Sequence, residues 1–171
     1  SQVALGAVRS GAHVVILDRR NFKNWRDFRQ HAECIDTRNP LNFIDAISQL
    51  CSVYQERDRI LGSAGVGTIA ELRNAPPRIF VVISEFGALC EAAREEGLLN
   101  DALVPLRLIM REAGASGVHM IFEDQVVETT WPRVARANAS PITGYLPQDS
   151  AAAGGYFKAH HLSPFHFHYE D

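Results

Sequence analysis

Ile79-Phe-Val-Val-Ile83 runs straight into Ser84-Glu85-Phe86, and further along Gly117-Val-His-Met-Ile-Phe122 runs straight into Glu123-Asp124-Gln125. Each is a short apolar run ending on polar residues, set up by Pro76-Pro77 in the first case and by Gly114 in the second. Apolar runs that are continuous rather than alternating fit strands buried on both faces of a parallel sheet. Between them the pattern changes to the helical period. It spans Phe86 to Glu96, closed by Gly97, and resumes from about Asp101 or Pro105 to Ala113, stopped by Gly114. A proline in mid-helix is costly, so a kink or a fresh start is expected at Pro105. Strand, helix and strand in succession predict a parallel sheet with helices on its faces, whose ligands sit beyond the carboxyl ends of the strands. Glu85 and Gln125 both fall at that edge.

The alternation continues in both directions. Ser1 to Ser10 reads as the end of a helix, apolar at Val3, Leu5, Ala7 and Val8, with no cap before it and Gly11 as its stop. Ala12-His-Val-Val-Ile-Leu17 is a buried-type strand ending at Asp18, and Glu33-Cys34-Ile35 a shorter one ending at Asp36. Between these, Asn21 to Gln30 predicts a short helix with Phe22, Trp25 and Phe28 inward. Asn39-Pro40 opens a long helix, which Leu41, Ile44, Ile47, Leu50 and Tyr54 carry to about Gly62. Thr68 caps a short helix through Leu72 in this reading. Ile142 to Leu146 and Pro164 to His168 read as late strands, and Ser150 to Ala159 as helical. His160, His161, His166 and His168 crowd the end, but with Phe165, Phe167 and Tyr169 interleaved they describe an edge strand better than a metal site. Residues 1–171 are expected to form one domain.

Bulk properties exclude several classes. The 171 residues are 46% apolar and 22% charged, ordinary for a globular domain large enough to bury a core. A net charge of -3 argues against a wholly basic nucleic-acid binder while leaving room for local basic patches. Cys34, Cys51 and Cys90 are odd in number and widely spaced, which suits a reducing cytoplasm better than a disulfide framework. No apolar run approaches the ~18 residues of a membrane span. Any membrane anchor is expected on a part of the protein outside this chain.

Two adjacent strands delivering Glu85 and Gln125 to one edge is the layout of a nucleotide hydrolase. A strand-end carboxylate orients and partly deprotonates the attacking water, and an amide holds that water or senses the terminal phosphate. After Asp18, the cations Arg19, Arg20, Lys23, Arg26 and Arg29 follow closely. Arg19, Lys23 and Arg26 are expected on one helix face able to contact phosphates, with Arg20 beside them.

In the order of its motifs the chain resembles the motor domain of FtsK/SpoIIIE-type (FtsK/HerA-like) DNA translocases, among the RecA-like P-loop ATPases, over nearly its whole length. The family's strand ending Asp-Pro-Lys resembles Leu17-Asp18-Arg19-Arg20. Its helix carrying Glu-Arg-Arg resembles Tyr54-Gln-Glu-Arg57, and its Walker B strand ending Asp-Glu-Phe resembles Val82-Ile-Ser84-Glu85-Phe86. Its Gly-Ile-His-Leu strand ending Thr-Gln resembles Gly117-Val-His119-Met with Asp124-Gln125, and its late Asp-Ser resembles Asp149-Ser150.

The resemblance implies a three-layer α/β core with a mostly parallel sheet, N-terminally incomplete. It also implies ATP with Mg2+, a homo-oligomeric ring, usually a hexamer, and double-stranded DNA as the polymer moved. The alternatives are a degenerate FtsK-like ATPase module of a protein-secretion machine, whose cargo is protein, and a non-hydrolysing assembly domain. Ring ATPases of this kind often place an arginine from a neighbouring subunit at the terminal phosphate, for which Arg111, Arg133 and Arg136 are the candidates.

The departures are specific. No Gly-x-x-x-x-Gly-Lys-Ser/Thr phosphate loop is present, and it is expected just upstream of Ser1. Ser84 replaces the Walker B aspartate, so only a hydroxyl faces the metal's water shell, and the neighbouring Asp124 is the candidate to supply the missing charge.

Overall fold

The computed structural model describes residues 2–124, 131–133, 142–145, 154–159 and 165–168. The chain divides into two compact units, Ser1–Asn138 and Ala139–Asp171.

In the first unit the strands are β1 (His13–Asp18), β2 (Glu33–Asp36), β3 (Ile79–Ser84) and β4 (Val118–Glu123), and the helices α1 (Gln2–Arg9), α2 (Pro40–Ala64), α3 (Phe86–Glu95) and α4 (Leu99–Glu112). The strands form one sheet in the order β2-β1-β3-β4, every pairing parallel. Leu17 lies opposite Ile83 and Ile83 opposite Phe122, so the polar residues that follow these strands emerge at one edge. One face of the sheet, with Val14, Ile16, Phe80, Val82 and Ile121, is covered by Ala7 and Val8 of α1 and by Phe22, Trp25 and Phe28. The opposite face carries Phe122, on which Phe86 of α3 packs at 4.7 Å between ring centroids, and Phe43 of α2 lies 6.5 Å from Phe86. Helix, sheet and helix make three layers.

Local chemistry fixes the ends of α2. Asn39 Oδ1 accepts from the Leu41 N–H at 3.0 Å, with Pro40 as the first helical residue. At the far end Gly65, at φ 67°, and the Val66 N–H bonded to the Leu61 carbonyl close the helix in a Schellman turn. Lower in α2, Arg57 donates to the carbonyls of Ser116 (3.0 Å) and Pro77 (2.9 Å), clamping the starts of β4 and β3. Burial depresses its pKa. Gly117 lies against this clamp at φ 71°, and a Cβ there would stand 2.2 Å from Ile69 Cδ1.

Tyr54, one turn before Arg57, is 6% exposed and donates to Glu112 Oε2 at 3.0 Å. Burial, then the bond to Glu112, pushes its pKa from 10.0 to about 12. A group that holds its proton more tightly when folded loses its contribution as pH rises above the unfolded value. Stability is therefore expected to fall between pH 10 and about 12, and Tyr54→Phe should remove that component from alkaline unfolding curves. Identical curves for both proteins would exclude Tyr54 as its source.

Three expectations need correction. The Asn21–Gln30 segment is a short 3-10 turn, Lys23–Phe28, with non-helical backbone at Trp25, although Phe22 and Trp25 are buried as expected. Asp18 Oδ2 accepts from the N–H groups of Arg20 (2.9 Å) and Phe22 (2.7 Å), and this side-chain turn displaces an α-helical start. Secondly, α4 makes no fresh start at Pro105 but continues through it. An interior proline costs about 3 kcal/mol, whereas burying Leu106 and Ile109 returns about 1.5–3 kcal/mol each.

The third correction lies in the second unit, where β5 (Ile142–Tyr145), β6 (Gly154–Ala159) and β7 (Phe165–His168) form an antiparallel sheet in that order. The segment read as helical contains β6. Ala151 to Ala153 suggested a helix, but Gly154-Gly155 disfavours one and Tyr156-Phe157 favours a strand. β7 stands at the edge of that sheet, as its pattern suggested.

Candidate active site at the carboxyl edge of the sheet

From β1 the chain crosses one face of the sheet, through the Lys23–Phe28 turn, to reach β2 on one side. It then crosses the other face through α2 to reach β3 on the far side of β1. The direction of winding reverses between β1 and β3, and in open parallel sheets the crevice at such a reversal is where ligands bind. The residues that end β1 and β3 therefore frame the candidate site.

Glu85 follows β3 directly. Its N–H donates to the Glu123 carbonyl at 2.8 Å, extending the ladder by one bond, and its own carbonyl receives the Leu89 N–H at 3.0 Å as the first bond of α3. Between these constraints its backbone is left-handed, φ 56° and ψ 48°. That conformation costs a non-glycine residue about 1–2 kcal/mol and occurs where neighbouring structure imposes it. Its carboxylate is 23% exposed and pairs with the guanidinium of Arg20, itself 57% exposed, from the turn after β1.

Glu85 occupies the N-cap position of α3 yet does not cap it. Asp124, from the end of β4, does so instead. Its Oδ2 accepts from the Gly87 N–H at 2.6 Å and from Trp131 Nε1 at 2.8 Å. Carboxylates are favoured at helix N-termini by the unpaired N–H groups and the helix dipole. Capping from a neighbouring strand leaves the Glu85 side chain free to face the edge.

The basic segment is split. Arg19 donates to the Ala88 carbonyl in α3 and does not share a helix face with Lys23 and Arg26, because the helix expected there does not form. Arg20, Lys23 and Arg26 are exposed. Asp18, 2% exposed, is taken up by the turn.

No protein-family model matches the sequence, and no curated protein matches it either. Solved structures do. The pCW3 conjugation coupling protein TcpA, in a monomer form with ATPγS, matches 94% of this chain at TM-score 0.77 and 15% identity. ATPases 2 and 3 of EssC from Geobacillus thermodenitrificans match 93% at TM-score 0.65 and 17% identity. The cytoplasmic domain of the type VII secretion ATPase EccC from Thermomonospora curvata matches 92%, also at 0.65 and 17%. The fold is that of the FtsK-type, RecA-like P-loop ATPases. The chain spans about half of TcpA, 52%, and 34% and 21% of the EssC and EccC chains.

Within an FtsK-type fold Ser84 stands where the metal-binding acid is expected, and it is buried. A neutral hydroxyl does not fit a Mg2+ site on its own, and Asp124 Oδ2 is committed to Gly87 and Trp131. Among the described residues no group of three His, Cys, Asp or Glu side chains converges as a metal site would require. Gln125 and Arg136 lie outside the described residues. Arg111 sits in the last turn of α4, whose end joins the start of β4, at the edge opposite Glu85. Arg133 is exposed.

Sequence reasoning missed the capping by Asp124, its bond to Trp131 and the Arg20–Glu85 pair. The absence of Ser, Thr, Asp or Asn at position 85, where α3 starts, was the available signal for a cap from elsewhere.

Proposed function

We propose that this chain is the hydrolytic part of an ATP-driven, FtsK-like motor that moves double-stranded DNA in the cytoplasm as a homo-oligomeric ring. The supporting observation is Glu85, held in left-handed backbone beside the β1–β3 reversal, where a carboxylate orients the water that attacks a terminal phosphate. The likeness to TcpA, a conjugation coupling protein bound to an ATP analogue, agrees with this reading. Arg111, Arg133 and Arg136 are assigned to the subunit interface. Among the described residues no helix is long and apolar enough to cross a membrane.

Duplex DNA should stimulate ATP turnover by the full-length protein. Turnover that responds to a secreted protein and ignores DNA would favour the second reading, a degenerate module of a secretion machine. Ser84 in place of the acid favours that reading, as does the likeness to EssC and EccC.

The two readings also differ at Ser84. If loss of the acid weakened metal use, Ser84→Asp in the full protein should strengthen Mg2+-dependent nucleotide binding on the order of tenfold, about 1.4 kcal/mol. Nucleotide titrations with and without Mg2+ measure this. Equal Mg2+ dependence in parent and variant would remove position 84 from metal binding.

A further inference from the structure

We infer that Arg20 is a positioning residue that holds Glu85 back from reaction, and that a phosphodiester backbone laid along the turn Arg20–Arg26 draws Arg20 away and frees it. The inference rests on the ATPase reading above and gives that reading a route from polymer to hydrolysis.

Arg20 and Glu85 come from the ends of different strands and meet across the β1–β3 reversal, guanidinium on carboxylate. A carboxylate oxygen already accepting from a guanidinium has fewer lone pairs to offer an attacking water. Both partners are delivered by strained backbone. Among the described residues, left-handed backbone outside glycine occurs at Asn21 (φ 55°), Phe22 (φ 57°) and Glu85 (φ 56°). Two of these build the turn that carries Arg20, and the third carries its partner. Strain of this kind persists where surrounding structure imposes it and concentrates at switching segments. Here Asp18 Oδ2 imposes it on the turn, through the N–H groups of Arg20 and Phe22.

The pair is asymmetric. Glu85 is 23% exposed and Arg20 57%, so a solvent-borne ligand reaches the cation more readily. The neighbouring cations divide the same way. Arg19 is held by the Ala88 carbonyl and Arg29 lies over the Phe22 ring at 4.9 Å, whereas Lys23 and Arg26 are exposed on the turn with Arg20. Three exposed cations on one turn suit a chain of phosphates, which guanidinium groups bind through paired hydrogen bonds. A part-exposed ion pair is worth little, so phosphate can displace the carboxylate.

The test uses the full-length protein, steady-state ATP turnover and mixed-sequence duplex DNA. Arg20→Gln should raise the DNA-free kcat about three- to fivefold, the range a pair this exposed can restrain. KM for ATP should change little and stimulation by DNA should largely disappear. Arg20→Lys should restore the low basal rate and the stimulation, a rescue that general disturbance of the turn would not give. Arg20→Ala, at the same surface position, provides a second charge-free variant. Basal rates equal to or below the parent's in both charge-free variants would overturn the inference. Failure of the ATPase reading is distinguishable, because the parent would then show no binding in a fluorescent-nucleotide titration. If the charge-free variants accelerate but DNA leaves the parent unchanged while a secreted protein stimulates it, the phosphodiester assignment is overturned and the restraint on Glu85 stands.

Discussion

Glu85→Gln in the full-length protein is expected to bind ATP as the parent does and to turn it over about 10²–10⁴-fold more slowly, the usual worth of a positioned general base. Glutamine has the shape of glutamate and leaves the backbone contacts of position 85 with Glu123 and Leu89 intact. The exposed pair with Arg20 contributes at most about 1 kcal/mol to folding, so the melting temperature should move by only a few degrees. A large loss of turnover in a stable protein that still binds nucleotide would place Glu85 in the chemistry. Unchanged turnover would remove it.

The second large effect is structural. Phe86 is fully buried, with Phe122, Trp131 and Phe43 at ring distances of 4.7, 5.0 and 6.5 Å. It joins β4 to α3 next to the candidate base. Phe86→Ala removes a ring from the middle of four aromatics and should cost about 3–5 kcal/mol, since neighbours on a strand (Phe122), a helix (Phe43) and the segment at Trp131 cannot all close the gap. For a domain of this size that lowers the melting temperature by about 10 °C or more. Chemical denaturation with an unchanged m-value would report the same loss. A cost below about 1 kcal/mol would mean that the cluster closes over the cavity and that Phe86 does not anchor α3.

The parts of the fold that were legible in the sequence depend on local signals. Continuous apolar runs announced β1 and β3, Asn39-Pro40 announced α2, and the polar residues after Ile83 and Phe122 announced the carboxyl edge of the sheet. What escaped depends on partners distant in sequence. The Lys23–Phe28 turn is short because Asp18 captures the N–H groups that follow it. The course of α4 through Pro105 is decided by the burial of Leu106 and Ile109. β6 forms by pairing with β5 and β7, against the local suggestion of three alanines. In the site, position 85 was legible from the end of its strand, whereas its pairing with Arg20 required two left-handed turns that no propensity announces.

One oxygen has a mechanical consequence. Asp124 Oδ2 fastens the end of β4 to the first turn of α3 and to Trp131. Hydrogen bonds weaken steeply with small displacements, so this joint does not stretch gradually. When β4 shifts along its length, the oxygen either carries Gly87 with it, and Glu85 two residues before, or it lets go and leaves the start of α3 bare. The corner bearing the candidate base therefore responds to pulling in discrete steps rather than elastically.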